Sequence, residues 1–104
     1  MDIIIRSLGF TAGDELEVFI REKLEKFDKE TNIIRANVTL YTESQSNPDR
    51  NYCEMRLEVP GNDLVVKRNG DSFEKAIVDT INTLQKNLHK AKEKHMGRNH
   101  GSLP

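Results

Sequence analysis

The sequence has no tryptophan, one cysteine and three prolines, and its aromatics are limited to four phenylalanines and two tyrosines. A lone Cys53 cannot close an internal disulfide, which suits a reducing compartment. No stretch approaches the ~20 apolar residues that a membrane helix requires. Met1-Asp2-Ile3 opens the chain without a basic region, and neither a long apolar run nor a small-residue cleavage site follows, so no signal peptide is expected. No glycine-rich phosphate loop is present; Gly61 and Gly70 read as turn glycines. These absences predict a cytoplasmic protein with no membrane partner and no small-molecule substrate. At 104 residues the chain fits one domain, large enough to bury a core without disulfides or a metal.

Catalytic constellations are equally scarce. His89, His95 and His100 come late, and no two of them have the four-residue spacing of a helical metal pair. Cys53 lies on the apolar register of its segment and reads as a small buried hydrophobe rather than a nucleophile. Ser72 reads as a helix cap. The expectation is a non-enzyme with no cofactor and no metal.

Charge is abundant but nearly balanced, with sixteen Lys and Arg against seventeen Asp and Glu, a net charge of −1. Its distribution is uneven. Residues 1–62 hold eight basic and twelve acidic side chains, whereas residues 63–104 hold eight basic and five acidic. After Leu84 the bases are Lys86, Lys90, Lys92, Lys94 and Arg98, against Glu93 alone. An anionic partner would therefore meet the C-terminal half, because long-range attraction follows local charge.

Hydrophobic periodicity sets out the elements. Ile3-Ile4-Ile5 is a short β-branched strand. Thr11, with Asp14 three residues on, offers a cap for a helix over about 12–29, whose stripe is Leu16, Ile20, Leu24 and Phe27. Glu17–Arg21, Glu22–Lys26 and Glu25–Lys29 are candidate pairs along it, each with the acid first. Ile34, Ala36, Val38 and Leu40 alternate with polar neighbours, as do Cys53, Met55, Leu57 and Val59, which predicts half-buried antiparallel strands. Pro60-Gly61-Asn62 turns the chain into a shorter strand, Leu64 to Arg68. Phe73, Ile77, Thr80, Ile81, Leu84, Leu88 and Ala91 mark one face of a helix over roughly 73–95. Residues 97–104 have no period and are expected to form a mobile tail.

The order β-α-β-β-β-α predicts an α+β two-layer sandwich, with two helices on one face of a four-stranded sheet. A right-handed crossover through the first helix would make the first two strands parallel. Opposite the apolar stripe of the last helix fall Lys75, Lys86 and Lys90, with Lys92 and Lys94 on its flanks. Lys23 and Lys26 share a flank of the first helix, and Lys29 continues that line. Ammonium groups along a rigid rod suit a phosphate backbone; the same lysines would also serve simply to solvate an outer face. Tyr41 and Tyr52 on the outer sheet face fit cross-strand packing better than base stacking, because the aromatic-glycine motif of RNA-recognition sheets is absent.

Ala76-Ile77, Ile81-Asn82, Leu84, Lys86, Leu88, Lys90, Lys92 and Lys94 resemble the last helix of the ribosome hibernation-promoting factors, also called ribosome-associated inhibitor or sigma-54 modulation proteins. Thr11, Lys23-Leu24-Glu25-Lys26 and Lys29 are similar to the family's first helix. The resemblance covers about residues 1–95, treated as the ribosome-binding domain, with 96–104 as tail, and it matches the family's short form. It implies binding to the small ribosomal subunit at 16S ribosomal RNA near the decoding region, where the protein would block transfer RNA and messenger RNA. It also implies RNA contacts at Lys86, Lys90, Lys92, Lys94, Lys23, Lys26 and Lys29, and no DNA partner. A general double-stranded-RNA module and a protein-interaction domain remain the alternatives.

Overall fold

In the computed structural model, residues 1–27, 32–43 and 46–101 are described, with side chains through Lys90. The elements are β1 (Asp2–Ser7), α1 (Asp14–Glu25), β2 (Arg35–Thr42), β3 (Asn51–Glu58), β4 (Leu64–Gly70) and α2 (Phe73–Gly101). The strands form one sheet in the order β1-β2-β3-β4. β1 runs parallel to β2, as a crossover through α1 requires, and the other two pairings are antiparallel. This is the α+β two-layer sandwich expected from the element order.

Period two decides what each strand buries. Ala36, Val38 and Leu40 of β2, Cys53, Met55 and Leu57 of β3 and Val66 of β4 point inward, each buried. They meet Ile20 and Leu24 of α1 and Ala76, Ile77, Ile81 and Leu84 of α2 in a single cluster. The helices therefore share one face of the sheet. The register places Val38 opposite Met55 and Leu40 opposite Cys53, and a one-residue slip would turn these side chains to water.

Thr80 is the polar member of this layer. It is fully buried, and its hydroxyl lies 2.7 Å from Ala76 O and 3.3 Å from Cys53 O. Donation to Ala76 O follows the usual i−4 habit of a helical threonine. Burial pushes the Cys53 thiol up to about 12.

The helix starts have different causes. Ser72 caps α2, its Oγ accepting from Lys75 N–H at 3.1 Å. α1 begins later than expected. Gly13, not Thr11, occupies its N-cap position with extended backbone and no side-chain hydrogen bond. Its carbonyl accepts from Leu16 N–H at 3.1 Å and Glu17 N–H at 3.2 Å. Asp14, Glu15 and Glu17 supply the negative charge that the first turn favours. Two of the expected pairs on α1, Glu17–Arg21 and Glu22–Lys26, do not close, because both members of each are solvated at little cost at the surface. The third includes Lys29, outside the described residues. α2 continues to Gly101, beyond the expected end at about 95. The expected tail, 96–104, overlaps this helix as far as Gly101, and residues 102–104 lie outside the described residues.

Leu57→Ala, a truncation of a fully buried side chain, should destabilise the fold by about 3 kcal/mol in denaturant titration. A pH series should detect Cys53. Its thiol stays protonated in the fold while the unfolded thiol ionises from pH 9 upward, so stability should fall between pH 9 and about 12. That component of the slope should vanish in Cys53→Ala.

Candidate nucleic-acid interface

Strand directions determine where the lysines gather. β4 is antiparallel to β3, which is antiparallel to β2, so β4 runs the same way as β1. Each helix departs from the end of one of these two strands and packs back along the sheet. α1 and α2 are thus roughly parallel, and they start at the same end of the molecule. The stacked rings of Phe10 and Phe73, with centroids 4.9 Å apart, join the two entry points. At ~1.5 Å per residue, Lys23 and Lys26 advance along α1 about as far as the neighbourhood of Lys86 on α2.

Both Lys86 and Lys90 are exposed on the side of α2 away from the sheet, one turn apart. Neither makes an ion pair among the described residues. Their side of the helix is acidic near its start, where Glu74 and Asp79 lie beside Lys75 and Asn82 around a shallow depression. Positive charge takes over from Lys86 onward. Thr83 stands between the two regions, its hydroxyl donating to Asp79 O at 2.8 Å.

On α1, Lys23 is half-buried, with its ammonium 5.5 Å from the centre of the Phe19 ring. Its stem lies along apolar surface while its head stays near water. Lys26 is the exposed C-cap residue, also free of ion pairs among the described residues. Four of the seven expected contact residues therefore lie in the helical layer, Lys23 and Lys26 in the last turn and C-cap of α1 and Lys86 and Lys90 in the middle of α2. Lys92 and Lys94 fall within α2, but their side chains lie outside the described residues, as does Lys29 entirely.

The opposite face of the sheet has different chemistry. Tyr41 and Tyr52 stack across β2 and β3 with centroids 5.2 Å apart and planes 9° from parallel. Lys67 lies 5.5 Å from one ring centre and 5.9 Å from the other. The Tyr41 phenol beside it raises the Lys67 pKa. Next to this stack is a polar cleft of about 390 Å³ lined by residues including Arg6, Glu54, Arg56, Glu58 and Asp63. Asn37 donates to Glu58 at 2.8 Å, and Arg56 holds Asp63 at 2.8 and 2.9 Å. This acid-base cluster went unanticipated, because it is assembled by the register of three strands. Its signal in the sequence is the polar half of each alternating run. Among the described residues no His, Cys, Asp and Glu group is arranged to hold a metal, and no helix is long and apolar enough to cross a membrane.

The model of the family described as Sigma 54 modulation protein / S30EA ribosomal protein matches residues 3–96. The chain belongs to this family. The matched span takes in α1, β2, β3 and β4 whole, β1 from Ile3 onward and most of α2, so Lys23, Lys26, Lys86 and Lys90 lie inside the S30EA domain rather than in an addition to it. The S30EA fold is repeated in a ribosomal subunit interface protein from Coxiella burnetii, at a TM-score of 0.77 and 18% identity, over 89% of this chain and 99% of that one. The Thermus thermophilus Protein Y N-terminal domain superposes at a TM-score of 0.74 and 17% identity, over 86% of this chain and 98% of that one. No curated protein sequence matches this S30EA-family chain.

Because Lys86 and Lys90 are exposed and make no ion pair among the described residues, reversing both to Glu should leave folding stability within about 0.5 kcal/mol of the parent in denaturant titration. That outcome would make the double variant a clean probe of binding.

Proposed function

We propose that the chain binds the small ribosomal subunit at 16S ribosomal RNA and holds translation off by occupying the path of transfer RNA and messenger RNA. The observation that carries this reading is the set of ammonium groups of Lys86, Lys90 and Lys26, none with an ion-pair partner among the described residues, together with Lys23, on two parallel helices. Membership in a family of ribosomal proteins supports the choice of target. A neighbour of the same fold is itself a ribosomal subunit interface protein.

The mechanism is steric and electrostatic. Lysines on a rigid layer displace counterions from backbone phosphates, which supplies affinity without reading base sequence. Specificity then comes from shape: the sandwich fits a cleft in folded RNA and excludes other occupants of it. Lys92, Lys94 and Lys29 extend the contact surface. No bond is made or broken, and no cofactor takes part.

Sedimentation with purified ribosomes and small subunits tests this. The chain should travel with small subunits at low salt and leave them as salt rises. Lys86→Glu/Lys90→Glu should lose most of the bound fraction, and an in vitro translation reaction inhibited by the parent should run freely with the variant. Equal affinity for arbitrary RNA duplexes would replace this reading with that of a general duplex-binding module. Unchanged co-sedimentation of the double variant would remove the helical lysines from the site.

A further inference from the structure

β1 is an outermost strand of the sheet, and one of its edges is open. Asp2 N–H donates to Ile34 O at 3.2 Å and Leu8 N–H to Leu40 O at 2.9 Å. Alternate residues of a strand send their backbone groups to opposite sides, so Asp2, Ile4 and Arg6 turn theirs to β2. Those of Ile3, Ile5 and Ser7 point away from the sheet, and no described group meets them. Natural edges are usually protected by charged side chains, lysine above all, by proline, by a bulge or by a covering element. This one presents Asp2-Ile3-Ile4-Ile5-Arg6-Ser7, with no lysine, proline or cover among the described residues, and its two charges, Asp2 and Arg6, are of opposite sign.

Its side chains are arranged for self-recognition. Asp2, Ile4 and Arg6 share the outer face and all are exposed, Ile4 to 38%. Asp2 and Arg6 are opposite in charge and lie two residues on either side of Ile4. Neither has an ion-pair partner among the described residues. Two copies of β1 laid antiparallel about Ile4 would place Asp2 of each against Arg6 of the other, and Ile4 against Ile4. The same register sets Ile3 opposite Ile5 of the second copy. These are the residues whose outward backbone groups can exchange paired hydrogen bonds, and Ile4 then falls at the closely spaced, non-hydrogen-bonded position. Backbone phase, charge and apolar contact thus select one register.

We propose that the chain forms a two-fold dimer through β1, joining two sheets into one of eight strands. The two-fold axis stands perpendicular to the sheet, so the helical layers of both copies lie on the same side. Six residues per strand make a small interface, and the dimer should form in a concentration-dependent way. This inference does not depend on RNA binding.

Sedimentation velocity of the full chain over a concentration series at low salt tests it. The mass should rise from 11.9 kDa to twice that value. Arg6→Asp and Asp2→Arg should each weaken dimerisation about tenfold, because like charges then oppose each other at both ends of the pair. An equal mixture of these two variants should pair again, since one brings two acids and the other two bases to the same register. The double variant Asp2→Arg/Arg6→Asp should dimerise like the parent. Far-UV circular dichroism matching the parent would establish that each variant is folded. A monomer at every concentration would overturn the proposal and leave the edge to a strand of another protein. A dimer indifferent to the single reversals, or folded variants that fail to pair when mixed, would overturn it as well.

Discussion

Everything in this molecule depends on the dry layer between the sheet and the helices. Leu40, Met55 and Leu57 rise from the strands, and Leu24, Ile77 and Leu84 descend to meet them, with no exposed surface on any of the six. Such packing is close to crystalline, so the helices cannot roll on the sheet without opening voids. This fixes which sides of α1 and α2 face water. The lysines are displayed at the surface because the opposite faces of the same helices are locked inside.

Most of this arrangement was legible in the sequence, and the reasons are physical. Strands β2 and β3 announce themselves by alternation, and α2 by its apolar stripe. The parallel pairing of β1 with β2 follows from the handedness of a crossover. The start of α1 was not legible, because Thr11 and Gly13 both offer acceptable starts and the choice rests on backbone path rather than side-chain capping. The surface pairs on α1 failed for a related reason: opposite charges four apart permit an ion pair but gain little from closing it. The cleft between Arg6 and Asp63 was invisible because it joins residues from β1, β2, β3 and the turn before β4.

The candidate site was legible in part. Periodicity placed Lys86 and Lys90 on the outside of the final helix. Their lack of carboxylate partners among the described residues, and the parallel course of the two helices, required coordinates. Sequence spacing cannot set Lys26 and Lys86 at similar distances along two helices that run the same way; the directions of four strands do. Lys23 shows how far the two layers of description can differ. It reads as one more surface cation in sequence, yet it is half-buried against Phe19, so its position is more constrained than that of its neighbours.

The shared direction of α1 and α2 has an electrical consequence. Asp14, Glu15, Glu17 and Glu74 crowd the first turns of the helices at one end, while Lys23, Lys26, Lys86 and Lys90 lie farther along them. A chain whose net charge is only −1 thus carries that charge unevenly along its helix axes. In the field of a large polyanion such a body experiences little net pull but a definite torque.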